Sequence, residues 1–317
     1  MYDYLDIINT QCDNIKLDKI TKTTLLDNED IIISFNSKDI EIISHPGITE
    51  SIKFRLNLIF PYILYYIDNY HPDPFDILIA LGDKLRKNYG NLPILCFSKE
   101  KNIPGFLIPN IDFFTMSIVN FLDQVTLFDH PYRDKSNSSI FTGSSTGPLE
   151  NNIRLLFCEK SLSNKDRYKS YISNICQHSV YDWIRYYPNL NKYSSDVIKI
   201  ADQLTHKIVV NIDGNTICWS RLYWQMLSNS IPVYINKNNN EIQYFDFIDH
   251  SSAYISTTLD NSLLTIDSIL YEYDDNTINK INNYGQSFIK NHFADYMSDP
   301  KQFLQTIISN LLLKITT

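Results

Sequence analysis

The chain has 317 residues, 44% of them hydrophobic, with 28 Lys and Arg against 36 Asp and Glu for a formal net charge of −8. That length suggests roughly two domains, each able to bury a full core, and an acidic balance with no long basic run argues against a nucleic-acid scaffold. The cysteines (Cys12, Cys96, Cys158, Cys176 and Cys218) are odd in number, scattered and free of CxxC spacing. They indicate neither a zinc knuckle nor a disulfide framework and suit a reducing, cytoplasmic setting. The opening MYDYLDIINTQCDNIKLDK lacks the basic and apolar regions of a signal peptide. No stretch reaches the ~18 apolar residues that cross a bilayer.

In chain order, residues 53–70 (KFRLNLIFPYILYYIDNY) carry a helical pattern that contains or follows Pro61. DILIAL (76–81), LPILCFS (92–98) and GFLIPN (105–110) read as short strands between turn signals. FFTMSIVNFLDQV (113–125) reads as one helix. The polar stretch RDKSNSS (133–139) marks the expected boundary between an N-terminal α/β domain over 1–136 and a C-terminal one over 137–317. Strand SIFTG, a glycine-bearing loop and helix LENNIRLLFCEKS come next, and helical segments are expected through 165–205. The segment 207–235 then gives strand, loop, helix and strand, with Trp219, Leu222, Tyr223, Met226 and Leu227 on one helical face. A turn, NKNNNE (236–241), precedes strand AYISTT (253–258), and 261–316 read as three helices, the last expected to pack back on the N-terminal half. Strands alternating with helices in both halves predict α/β layers with mostly parallel sheets.

Two loops repeat one device. FTGSSTGPLENNIR (141–154) and DGNTICWSR (213–221) each join a buried strand to a helix through small residues and end in an arginine. In doubly wound folds ligands sit at the carboxyl ends of strands, and a helix N-terminus offers N–H groups to an anion. Arg221 in a first helical turn opposes the macrodipole by a few tenths of a kcal/mol. A bound diphosphate, gripped in charge-assisted hydrogen bonds, would reverse that sign. The bland alternative is a solvated arginine beside ordinary turns. No P-loop and no G-x-G-x-x-G is present. HxxxH and HExxH are also absent, so no metal is expected. In the first half Asp83 ends the strand DILIALGD. It reads either as the cap of the following turn or as a general base facing a cleft.

Put in order, DILIALGD, PILCFSK, FLIPNIDFF, FTGSSTG…NNIRLLFCEKS, HKIVVNIDGNTICWSRLYWQMLSNSIPVYI and YGQSFIKNHF resemble the blocks of glycosyltransferase family 90. That family holds the Rumi-type protein O-glucosyltransferases and the lipopolysaccharide- and capsule-modifying transferases. The likeness runs from about residue 75 to 295, and residues 1–70 have no match. The resemblance implies a GT-B fold, two Rossmann-like domains with a cleft between them, and metal-independent inverting transfer from a UDP-sugar to a hydroxyl. By motif position it implies Asp83 as catalytic base. It implies a donor site of Gly143, Ser144, Arg154, Asn215, Thr216, Ser220 and Arg221, with Ser98 and Lys99 in a block of open role. The expected partners are a UDP-sugar, glucose or xylose first, and a glycan, lipopolysaccharide or protein acceptor. No cofactor is expected, and peripheral membrane contact fits a lipid-linked acceptor. Thr142 and Gly82 stand where the family usually has arginine. Those departures keep open a non-catalytic glycan- or nucleotide-binding protein of the same fold, and a UDP-sugar epimerase of GT-B shape is a second alternative.

Overall fold

The computed structural model describes residues 27–235 and 240–316, together with Gln11 and Ile20. Cys12 and most of the turn expected at 236–241 lie outside the described residues. The chain divides into two compact units, Met1–Ser117 with Asn240–Ile248 and His292–Thr317, and Ile118–Asn239 with Asp249–Asn291. The polar segment 133–139 falls inside the second unit, and the last residues belong to the first.

The first unit is built on a five-stranded mixed sheet. Strands β1 (Asp30–Phe35), β2 (Ile40–Ser44), β3 (Phe75–Ala80), β4 (Ile94–Cys96) and β6 (Phe106–Leu107) take the order β2-β1-β3-β4-β6. β1 runs antiparallel to both β2 and β3, while β3, β4 and β6 are parallel. The expected strand 92–98 is therefore two strands. After β4 the chain leaves the sheet, and β5 (Ser98–Glu100) pairs instead with β11 (Glu241–Gln243).

Helix α1 (Glu50–Tyr70) starts where the Thr49 side chain accepts from the Ile52 amide, and it ends at His71 in a left-handed conformation. Its buried residues Ile52, Leu56, Ile59, Ile63, Tyr66 and Ile67 keep the 3.6-residue period of a core-facing stripe, with Pro61 inside the helix. The single helix expected over 113–125 is two, α2 (Ile111–Phe114) and α3 (Ser117–Phe128). Met116 breaks the run with a φ of 58°. Buried Phe113 then lies against Phe293 and Tyr296, whose hydroxyl donates to the Phe113 carbonyl at 2.9 Å.

The second unit carries an all-parallel sheet of β7 (Ser136–Ser144), β8 (Tyr168–Asn174), β9 (His206–Ile212), β10 (Ile231–Ile235) and β12 (Ile255–Thr257). Their order is β12-β10-β9-β7-β8. β7 begins inside the segment expected to be a polar break, and β8 replaces part of the helical stretch expected at 165–205. Phe141, Ile208, Val210, Ile212, Ile231, Val233 and Ile235 point alternate side chains into one core. Helices α4 (Ile153–Ser161), α8 (Ser262–Tyr271) and α9 (Asp275–His292) contribute Leu155, Ile266 and Ile278 to it. The remaining helices are α5 (Val180–Tyr186), α6 (Ile200–Gln203), α7 (Arg221–Leu227), α10 (Ala294–Ser298) and α11 (Pro300–Thr316). Four helices, not three, follow β12. A mixed α/β architecture with parallel strands is what the alternation predicted. Among the described residues no helix is long and apolar enough to cross a membrane.

Candidate functional site

In chain order, β7 comes first in its sheet, β8 lies on one side of it and β9 on the other. The chain therefore reverses its direction of winding between β7 and β9. In this strand order the ligand crevice opens at the carboxyl ends of those two strands. Both sequence-predicted loops leave from there.

The first loop is tied down by Asn152. Its Nδ2 donates to the carbonyls of Ser145, Thr146 and Pro148 at 3.1, 3.3 and 3.3 Å. Its Oδ1 accepts from the amides of Arg154 and Leu155 at 3.1 and 3.2 Å, capping α4. Those two amides are accordingly taken, and the open helix start expected for an anion is closed at these positions. Ser145 joins the loop to the end of β8, its amide donating to Asn174 and its hydroxyl to the Cys176 carbonyl, at 2.9 and 3.1 Å.

The second loop turns on buried Asp213, whose Oδ1 accepts from the Cys218 amide at 3.0 Å and the Tyr234 hydroxyl at 2.6 Å. Asn215 is exposed at the tip, while Thr216 and Ser220 are buried. The helical face expected to begin at Trp219 starts later, because α7 begins at Arg221 itself.

Arg154 joins the two loops. Its Nε donates to the carbonyls of Ile212 and Asp213 at 3.2 and 3.1 Å, its Nη2 to Ile212 at 3.0 Å and its Nη1 to Ser144 at 3.1 Å. Nη1 also donates to the Thr146 hydroxyl at 2.5 Å. Arg154 is 8% exposed. Gly214 is required here, since a Cβ would stand 2.7 Å from the Thr146 hydroxyl and 3.0 Å from Arg154 Nη2. Arg154 thus acts as a strut between the ends of β7 and β9.

Arg221 is half-buried, donates Nη1 to the Thr142 carbonyl and places its guanidinium 5.9 Å from the centre of the Phe141 ring. Gly143 sits beside it, with an added Cβ 3.7 Å from Nη1. Burial first, and the charge of Arg221 among the smaller causes, hold Arg154 below its ordinary proton affinity. Among the described residues neither guanidinium has a carboxylate within ion-pair distance. Two like charges meet at one crevice with no directly ion-paired carboxylate among the described residues, buried Asp213 acting on Arg154 only as one of the smaller causes, an arrangement that favours a bound anion. Gly143, Ser144, Arg154, Thr216, Ser220 and Arg221 are thus gathered on the two loops or at their strand ends, whereas Thr146, Asn152, Asp213 and Tyr234 escaped the sequence reading. Only Asn152 carried a usable signal, a capping-type residue just before an apolar run.

Asp83 belongs to the first unit, three residues beyond β3. Arg55 of α1 donates Nη2 to Asp83 Oδ1 at 2.8 Å and Nη1 to the Leu81 carbonyl at 2.7 Å. The Ser98 hydroxyl donates to the Asp83 carbonyl at 2.7 Å, so Ser98 fixes this bend. Lys99 Nζ donates to the Ile103 carbonyl at 2.7 Å, a structural contact.

No protein-family model matches the chain. No curated protein matches it either. Among solved structures, it is similar to the C-terminal domain of a glycosyl transferase group 1 family protein (LpcC) from Francisella tularensis, at 14% identity and a TM-score of 0.31. That likeness covers 55% of this chain and 93% of the other.

Proposed function

We propose that the protein is an inverting glycosyltransferase of the family 90 type in a GT-B arrangement. It moves a sugar, glucose or xylose first, from a UDP-sugar to a hydroxyl of a glycan, lipopolysaccharide or protein acceptor, without a metal ion. The observation that carries this reading is the pair of guanidinium groups, Arg154 and Arg221, at the switch-point crevice with no ion-paired carboxylate among the described residues. A diphosphate would supply the negative charge that directly pairs with these guanidinium groups. Small residues at Gly143 and Ser144 let it approach the backbone.

In the proposed reaction Asp83 takes the proton of the acceptor hydroxyl as its oxygen bonds to the anomeric carbon. The bond from that carbon to the diphosphate breaks, its electron pair leaves with UDP, and the configuration inverts. Arg221 faces the charge that develops on the leaving group, where losing one preorganised donor costs about 3 kcal/mol of barrier. Arg154 keeps both loops in place.

Calorimetric titration with UDP and with uridine tests the donor site. UDP is expected to bind more tightly than uridine, and Arg221→Ala to weaken UDP about 10- to 100-fold, in line with the loss of one charge-assisted contact. Equal affinity for UDP and uridine would sink the diphosphate reading. Asp83→Asn is expected to lower UDP release from UDP-sugars about 100- to 10,000-fold, to a residual rate that can still be followed, while leaving UDP affinity within about twofold, since the base acts only in the chemical step. UDP binding with no release from any sugar donor would mark a non-catalytic binder, and an epimerised donor formed without acceptor would mark an epimerase.

A further inference from the structure

We propose that Arg55 is a positioning residue for the reaction, orienting Asp83 so that one carboxylate oxygen is left for the acceptor. The inference rests on the reading of Asp83 as the base and adds a residue from a stretch of the chain that matches no family block. Arg55 lies on the second turn of α1. Its guanidinium spans two consecutive features of the bend, the Leu81 carbonyl and Asp83 Oδ1. The side chains of Arg55 and Asp83 are 17% and 34% exposed, so the pair is shielded on the arginine side and open on the carboxylate side. Among the described residues Asp83 Oδ2 accepts no hydrogen bond.

The bend is held from other directions as well. The Leu81 amide donates to the Glu29 carbonyl at 2.9 Å, and the Leu85 amide to the Ser98 carbonyl at 2.8 Å. Glu29 also occupies the space that a side chain at position 82 would need, since a Cβ on Gly82 would stand 2.2 Å from its Oε2. A side chain at position 82 would require Glu29 to move, and the cation beside Asp83 comes from α1 instead. Two donors in a rigid fork fix a direction, which a single ammonium on a flexible stem does not. A carboxylate held at one oxygen presents the other in a defined orientation, and misplacement of a reacting group by about 1 Å costs on the order of 100-fold in rate.

The test uses the full chain, UDP-glucose and UDP-xylose as donors and water as acceptor, following UDP release. Arg55→Met is expected to lower kcat roughly 10- to 100-fold with KM for the donor within about twofold, and Arg55→Lys to recover part of the loss. In the Asp83→Asn background, Arg55→Met should cost nothing further, because a residue acting through another is non-additive with it. An unchanged kcat in Arg55→Met overturns the proposal, as does an additive loss in the double variant. A fall in thermal midpoint with no kcat effect in Arg55→Lys does so too, and marks a purely structural pair. If Asp83→Asn alone keeps wild-type turnover, the base assignment has failed rather than the pairing. A wild-type chain silent on both donors overturns the transferase reading and this role with it.

Discussion

Arg154 and Arg221 carry the same side chain to the same strand ends and are expected to fail differently when removed. Arg154 is buried and satisfies the carbonyls of Ser144, Ile212 and Asp213. Arg154→Met leaves those largely buried acceptors without their donor, a loss of about 3 kcal/mol. Arg221, half-buried, gives up one carbonyl contact, and Arg221→Ala is expected to cost under about 1 kcal/mol of stability. Urea denaturation of both variants checks the contrast, and equal destabilisation would remove the distinction between strut and ligand contact. The sequence made both arginines visible because each closes a small-residue loop after a strand. It could not separate their roles, which depend on burial and on which carbonyls the fold brings together. Asn152 shows the same limit in reverse: its identity suggests a cap, but only the folded loop shows that capping closes amides otherwise open to a ligand.

Elements with a strong apolar period were legible, and those without one were not. α1, β3, β9 and β10 lie within a residue or a few of where their patterns place them. β8 was read as helix because its alternation, Tyr168, Ser170 and Ile172 buried between Lys169, Tyr171 and Ser173, mixes polar and aromatic side chains and contains one aliphatic residue. It is the last strand of its sheet, and its outer edge is covered by the backbone of 193–195, the Ile172 amide donating to the Tyr193 carbonyl at 2.8 Å and the Ser195 amide to the Ile172 carbonyl at 3.1 Å. The helix α2–α3 looked continuous because nothing in the sequence announces a positive φ at Met116. Pro61 is the opposite case, a visible breaker overridden by its surroundings. Ile59 and Ile63 on either side of it are fully buried, and Tyr66 and Thr316 join α1 to α11 through hydroxyls 2.8 Å apart. Tertiary packing thus holds a helix that Pro61 weakens by lacking an N–H and crowding the preceding turn. Pro61→Ala is expected to raise stability by about 1–3 kcal/mol in chemical denaturation. A fall would show that the ring itself packs usefully.

At the scale of the whole molecule, each unit buries a group whose titration falls between about pH 4 and 6, and the two oppose each other. In the first unit burial pushes the Asp30 carboxyl up to about 6, against a hydrogen bond from Tyr89 that favours its ionised form. In the second, burial pushes His206 down to about 4, helped by the charges of Lys169 and Lys135, while its Nδ1 shares a 2.8 Å hydrogen bond with the Ser138 hydroxyl. Against ordinary values of 3.8 and 6.5, the signs are opposite. The folded chain holds an extra proton on Asp30 between about 3.8 and 6, so this contribution is present at low pH and is lost as pH rises through 6. The unfolded chain holds an extra proton on His206 between about 4 and 6.5, so that contribution is present above 6.5 and is lost as pH falls through 4. Over the shared window the two slopes offset, and the wild-type protein is expected to show a shallow pH dependence from these groups. Single substitutions unmask them. With Asp30→Asn, stability should climb from pH 4 to 6.5 by about 2 kcal/mol through the remaining histidine. With His206→Gln, which keeps a polar group beside Ser138, stability should instead decline over the same range by about 2 kcal/mol. Urea midpoints at four pH values between 4 and 7.5 decide the matter. Parallel slopes in the two variants would mean that at least one of these groups is as solvated in the folded chain as in the unfolded one.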